Sequence, residues 1–309
     1  MRLSLAALVM FLLAPTVAAA QQSPYNAAAA TSAAPRRRAV RRKVYDKNTG
    51  RTRTQVDYVK VRRDRYGNAQ SSRYDLAVDG AFKGKTIVVL QFYTGGGFNF
   101  ALPRRALATK GFSVYRWSNG APSPKQLDAA LKKACQLWVI SGMTQHLNSK
   151  HLAVIKRFFN SGKGLYIWGD NAPYYGDANF IGKALFGATM HGNLIGSRVV
   201  KLQRRPQRAG IRPNHLLSTG LEHLFEGITI ATIRSNQTLE PLLYGSANNL
   251  VVAYYDRGGK RAIFDGGFTR LYNKWDTAGT ARYVKNAAAW LVNYERFGRR
   301  RGKKVAAAR

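Results

Sequence analysis

From Lys85 onward, hydrophobic and polar positions alternate between strand-like and helix-like periods. Lys85 to Phe92 (KTIVVLQF) is a short apolar run rich in β-branched residues and predicts a strand. Tyr93-Thr94-Gly95-Gly96-Gly97-Phe98 then turns into a predicted helix over Ala101 to Lys110, and Phe112 to Trp117 predicts the next strand. Ser123-Pro124 reads as an N-cap with Pro at the first helical position, opening a helix through Leu127, Ala130, Leu131 and Ala134. Leu137 to Ser141 predicts a third strand, and a loop with Gln145 and His146 precedes a helix from about Ser149. Leu152, Ile155, Phe158 and Phe159 share one face of that helix, and Gly162 stops it. Leu165 to Trp168 is a continuous apolar run, left through Gly169-Asp170-Asn171, which suits an interior parallel strand. An aromatic loop and a short helix from about Asp177 follow.

Such alternation predicts an α/β fold, with right-handed βαβ units and a mostly parallel sheet flanked by helices. After Gly187 the pattern changes. Ile195 to Leu202 predicts a strand leading into the proline-broken basic loop Arg204 to Pro213. Ile228 to Ile233, Leu250 to Asp256 and Arg261 to Asp265 predict further strands, the last two paired as an antiparallel hairpin through Arg257-Gly258-Gly259. A helix from about Thr277 closes a domain expected to span residues 76–297. Upstream, residues 21–75 are expected to form a flexible basic arm. Within it Gln21 to Ala34 is a spacer, and Arg36 to Lys43 repels itself and stays disordered until it meets an anion. Val44 to Tyr74 has the pattern of a hairpin annex. Residues 298–309 read as a disordered basic tail.

Charge changes the picture most. Fifty Lys and Arg face fifteen Asp and Glu, for a formal net charge of +35. Arg36 to Arg65 holds thirteen basic residues and three acids, and Arg198 to Arg212 six and none. Clusters of this kind attract an anionic polymer: an envelope glycan, a lipid headgroup or a nucleic acid. The polyanion-binding residues expected are Arg36, Arg37, Arg38, Arg41, Arg42, Arg204, Arg205 and Arg208, with Arg299-Arg300-Arg301 in the tail. The first twenty residues read as an export signal: Arg2, an apolar Leu3 to Leu13 and the small-residue run Ala18-Ala19-Ala20. The expected location is therefore periplasmic or extracellular, with no transmembrane segment after cleavage. Cys135 is the only cysteine, so no intrachain disulfide is possible.

Leu137-Trp138-Val139-Ile140-Ser141-Gly142, a helix, then Gly162-Lys163-Gly164-Leu165-Tyr166-Ile167-Trp168-Gly169 resembles the class I glutamine amidotransferase-like fold, a flavodoxin-like arrangement. Pro241 to Gly245 and Lys260 to Gly267 resemble its exported non-glutaminase relatives, including ThuA-like domains. For glutaminases, the resemblance implies a nucleophilic Cys in the turn after Leu165–Trp168 and a His-x-Glu after Ile263. Here those places read Gly169-Asp170-Asn171 and Asp265-Gly266-Gly267-Phe268-Thr269-Arg270, so Cys-His-Glu amide hydrolysis is not expected.

The polar residues that remain fall at the predicted carboxyl edge of the sheet, where open α/β sheets bind ligands. Asp170 and Asp265 are the candidate acid and base, with His146 within reach. Asn171, Tyr174, Tyr175, Thr269 and Arg270 are candidate ligand-binding groups, and ion pairing with Asp265 is the alternative for Arg270. Trp168 and Trp275 could line a sugar-stacking wall with Tyr174 and Tyr175. Asp177 and Asp276 each precede a predicted helix, where a carboxylate caps exposed N–H groups. The five His show no four-residue helical spacing of a zinc motif, and neither metal nor cofactor is expected. The sequence favours an exported, non-catalytic binding or scaffold module for an anionic polymer; a carbohydrate or amide hydrolase using Asp170 and Asp265 is the alternative.

Overall fold

The computed structural model describes residues 23–297, apart from Thr31, Gly95, Gly96, Asn236, Asn273 and Asp276. The expected export signal, the tail after Phe297 and the capping role of Asp276 lie outside the described residues. In chain order the ribbon β1 (Arg37–Asp46) and β2 (Arg51–Lys60) comes first. Then follow β3 (Lys85–Gln91), α1 (Ala101–Thr109), β4 (Phe112–Ser118), α2 (Pro124–Lys133), β5 (Gln136–Ile140), α3 (Ser149–Asn160), β6 (Gly164–Trp168) and α4 (Gly176–Phe186). The second half holds β7 (Thr189–Ile195), β8 (Val199–Lys201), β9 (Gly210–Ile211), β10 (His223–Phe225), β11 (Thr229–Arg234), β12 (Glu240–Tyr244), β13 (Leu250–Arg257) and β14 (Lys260–Asp265). Helices α5 (Thr269–Tyr272), α6 (Thr280–Leu291) and α7 (Tyr294–Phe297) end the described chain.

The main sheet has eight strands in the order β4-β3-β5-β6-β14-β13-β12-β9. From β4 to β14 every pairing is parallel, and β14-β13, β13-β12 and β12-β9 are antiparallel. The parallel part follows the doubly wound order 2-1-3-4-5. The middles of its inner strands are apolar because both faces are covered. On one face Ile87, Val89, Trp138, Ile140 and Tyr166 pack with Leu107 of α1 and Val284, Ala287, Ala288 and Leu291 of α6. On the other, Val88, Leu90, Leu137, Val139, Leu165 and Ile167 pack with α2, α3 and α4 through Leu127, Leu131, Ile155, Phe158, Ala178 and Ile181. Ser123 caps α2 in a capping box with Gln126, with Pro124 in the first turn, as its sequence predicts. Among the described residues no helix is long and apolar enough to cross a membrane.

Two expectations need correction. The strand expected over Ile195 to Leu202 is broken: β7 ends at Ile195, β8 starts at Val199, and Ser197 sits at φ 60° between them. A side chain on Gly196 would lie 2.6 Å from the Gly227 carbonyl, so the chain can cross there only as glycine. Nor are residues 23–75 a flexible arm. Arg36 to Lys43, expected to stay disordered, contributes most of β1, paired in register from Arg37↔Lys60 to Asp46↔Arg51. Cross-strand backbone bonds and β-branched neighbours outweigh the repulsion, which exposure to water screens. The segments flanking the ribbon are anchored to the domain. Asn26 donates to the carbonyls of Asp75 and Ala77, both at 2.9 Å, and Asn68 bonds Glu222 and His223. Asp75, fully buried, receives Lys110 at 2.9 Å, Arg282 at 2.8 Å and Lys285 at 2.6 Å. The domain therefore extends through residues 61–75, leaving the ribbon as an exposed excursion.

Candidate functional site

The carboxyl edge of the parallel strands gathers the expected acids but does not use them alike. Asp265 is the last residue of β14, directly opposite Trp168 of β6. It is fully buried and saturated. Tyr166 and Tyr283 donate their hydroxyls to its Oδ2 at 3.0 and 3.1 Å, Gly267 N–H donates to Oδ1 at 3.0 Å, and Arg270 pairs with Oδ1. Arg270 is equally buried and donates onward to the carbonyls of Phe225 and Glu226 at 3.2 and 3.1 Å. Burial opposes its charge, but Asp265 outweighs that cost and raises the guanidinium pKa. Burial, and then Asp265, pushes both tyrosine hydroxyls well above their ordinary range. The expected roles of Asp265 as catalyst and of Arg270 as ligand clamp are therefore corrected: the two form an internal ion pair, as the alternative for Arg270 held.

Asp170 is different. It is 1% exposed, and its Oδ1 accepts from Asn171 N–H at 2.9 Å and from Thr229 Oγ1 at 3.1 Å. Its Oδ2 has no hydrogen-bond partner among the described residues. Desolvation raises its pKa to about 7, with the nearby Asp265 adding to the shift, so the carboxyl holds a proton near neutrality. The ring of Tyr93, just beyond β3, lies 4.3 Å from that of Tyr174. Burial, with Tyr174 and Asp170 beside it, pushes the Tyr93 hydroxyl to about 12. Asn171, Tyr174 and Tyr175 are half-buried beside this carboxyl in the loop before α4. Thr269 is committed elsewhere: its hydroxyl accepts from Ile228 N–H at 2.7 Å and donates to the Thr229 carbonyl at 3.3 Å.

His146 shares no hydrogen-bond partner with Asp170. Its ring stacks on Phe92 at 4.6 Å, and its Nδ1 lies 3.3 Å from Asp177 Oδ2. Asp177 does not cap its own helix; its Oδ1 accepts from His146 and Leu147 N–H at 2.9 and 2.8 Å, tying the loop after β5 to α4. Trp168 and Trp275 are core residues, 0% and 7% exposed, so no tryptophan wall faces a ligand. No group of three or more His, Cys, Asp or Glu among the described residues could hold a metal ion. Sequence reasoning passed over Thr229 as the partner of Asp170 and Tyr93 as its neighbour through Tyr174. Their positions, just past one strand and at the start of another, were the available signal.

The second candidate is the ribbon. Residues 37–60 carry nine Lys and Arg against two Asp, and most of their side chains are exposed. Among the described residues, Arg42 with Asp57, at 2.8 Å, is the ribbon's ion pair. At its root Val61 N–H donates to the Arg36 carbonyl at 3.0 Å. Arg38, Lys60, Arg62 and Arg73 line a basic cleft of about 500 Å³ there. Arg204 and Arg205 line another cleft, of about 480 Å³, which also contains Glu240; Arg208 is exposed on the same loop. Ser32, in the segment that precedes the ribbon, accepts from Asn214 N–H, just after this basic loop.

No family model matches the sequence, and no curated protein does. Solved structures similar to the chain include a cytoplasmic protein from Salmonella typhimurium (9% identity, TM-score 0.45, 82% of this chain and 96% of that one). A ThuA-like protein from Parabacteroides merdae is 11% identical, with TM-score 0.43, covering 68% of this chain and 90% of its own. An exo-beta-1,4-mannosidase, Op5Man5 from Opitutaceae bacterium strain TAV5, is 10% identical, with TM-score 0.39. The match covers 68% of this chain but only 36% of the mannosidase. Likeness at this level transfers no activity.

Proposed function

We propose that this chain is an exported, non-catalytic binding module: an α/β domain of class I amidotransferase-like type that presents a basic ribbon to an anionic polymer. The observation that carries the reading is the charge of residues 37–60, nine cations to two acids on a ribbon open to solvent. Binding by counterion release needs such a display and no pocket. Arg204, Arg205 and Arg208, exposed on their own loop, add a second basic display. The hydrolase alternative is less well supported, because Asp265 is saturated by four donors and leaves Asp170 without the second carboxylate that reading needs.

The test excises residues 37–60 and joins Arg36 to Val61 through Asn-Gly, a connection their existing hydrogen bond supports. Heparin binding is then titrated with salt. About six charge contacts in the intact chain imply a loss of roughly a thousandfold between about 50 and 200 mM salt. Excision should flatten that slope without lowering the melting temperature. Weak, salt-insensitive heparin binding by the intact chain would discard the proposal.

A further inference from the structure

The two faces of the ribbon differ. Cross-strand register puts Arg37, Ala39, Arg41, Lys43 and Tyr45 on one face with Thr52, Thr54, Val56, Tyr58 and Lys60. Every one of these ten is exposed. The face carries four cations, no acid and two tyrosines, Tyr45 at 61% and Tyr58 at 69% exposure. Neither ring stacks on another, and neither hydroxyl has a hydrogen-bond partner, among the described residues. The opposite face holds Arg38, Val40, Arg42, Val44 and Asp46 with Arg51, Arg53, Gln55, Asp57 and Val59. Both of the ribbon's acids sit there, Arg42 pairs with Asp57, and six of its ten residues are half-buried.

We infer that the acid-free face binds single-stranded nucleic acid, with bases stacked on Tyr45 and Tyr58 and phosphates on Arg37, Arg41, Lys43 and Lys60. This rests on the polyanion reading above and adds a ligand class and a face to it. Charge alone would suit a sulfated glycan equally well. Two exposed rings among cations favour a polymer with π-faces, since base–aromatic stacking is the contact this arrangement supplies and a duplex keeps its bases stacked on each other. Tyr45 and Tyr58 lie near opposite ends of the face, Tyr58 facing Ala39 and Tyr45 facing Thr52. At about 3.3 Å per residue that sets the rings roughly 20 Å apart, spanned by the cations of β1. Each small cross-strand partner leaves its ring open.

The test measures binding of a fluorescein-labelled oligothymidylate to the full chain and to Tyr45→Val, Tyr58→Val and Tyr58→Phe. Valine keeps strand propensity while removing the ring. Each valine variant should lose roughly 5- to 150-fold in oligothymidylate affinity, with heparin affinity unchanged, and Tyr58→Phe should bind nearly as the parent does. Four phosphate contacts imply a loss of about 50-fold between about 50 and 200 mM salt. Arg41→Ser with Lys43→Ser should weaken binding more than Arg38→Ser with Arg53→Ser, although both remove two charges. Valine variants that bind as tightly as the parent, or equal losses from the two serine pairs, overturn the assignment while leaving the polyanion reading intact. Duplex DNA or anionic phosphatidylserine vesicles bound at least as tightly as the single strand do the same. Failure to bind heparin as well as oligothymidylate removes both.

Discussion

The internal ion pair at the end of β14 makes the sharpest prediction about the carboxyl edge. Arg270→Met removes a buried cation of similar length and leaves Asp265, 0% exposed, with its two tyrosines and the Gly267 amide. It also strips a donor from the carbonyls of Phe225 and Glu226. Breaking a buried pair from one side costs about 3–5 kcal/mol, because the remaining charge is uncompensated. At about 2–4 °C per kcal/mol for a domain of this class, the melting temperature should fall by roughly 6–20 °C. Asp265→Asn should cost a similar amount, since the amide cannot accept all four donors. Combined with Arg270→Met it should cost less than the sum of the two, with a coupling energy above about 1 kcal/mol. Thermal melts and urea titrations of the four proteins give the cycle. A catalytic Asp265 held under strain would behave oppositely, its removal leaving stability unchanged or raised. If Arg270→Met melts with the parent, or if the two changes add, the pair does not hold this edge together.

Asp170 predicts a pH dependence of opposite sign to that of a paired carboxylate. Its folded pKa of about 7 lies above the unfolded value of about 3.9, so its contribution is full below about 3.9 and lost as pH rises through about 7. The loss is up to about 4 kcal/mol. Asp170→Asn should therefore flatten the fall in melting temperature between about pH 4 and 7, and an unchanged slope would count against the titration. Gly267→Ala would set a methyl 2.4 Å from the Glu226 carbonyl and 2.7 Å from the Arg270 guanidinium. A loss of at least about 1–3 kcal/mol is expected, read in urea; a neutral result would show that this turn yields more than its packing implies.

The sheet was legible because its inner strands must be apolar on both faces, and Val88 to Leu90, Leu137 to Ile140 and Leu165 to Trp168 satisfy that without a gap. Strands β9 and β12 were not, one being two residues long and the other carrying Pro241 near the sheet's edge. The carboxyl edge could be located from Gly169-Asp170-Asn171, but the state of its acids could not. Arg270, five residues on, supplies the charge, but two of the four donors that saturate Asp265 come from Tyr166 on the neighbouring strand and Tyr283 on the closing helix, and sequence spacing does not report that convergence. Asp170 and Asp265 look equivalent in the sequence, and only the count of donors around each separates them.

The ribbon's turn and second strand fell within the expected hairpin annex of Val44 to Tyr74, but most of its first strand, Arg37 to Lys43, failed to stand out for a related reason. A run such as RRRAVRRK carries little apolar alternation, and period-two reading weighs its arginines as disorder. The pairing is supported from the other strand, where Val56, Tyr58 and Val59 face Arg41, Ala39 and Arg38. Charge repulsion between exposed side chains is screened within about 10 Å at ordinary ionic strength, whereas ladder bonds along ten paired positions are not. An ordered ribbon has a consequence that a disordered arm lacks. A disordered arm gives up conformational freedom whenever it meets its ligand, while residues 37–60 already hold their cations at fixed spacing. Their order also makes the two faces distinct, since only a paired strand sorts Tyr45 and Tyr58 from Asp46 and Asp57. On the proposed reading, selectivity among polyanions would follow from that sorting, because net charge alone is blind to the polymer that carries the phosphate or sulfate.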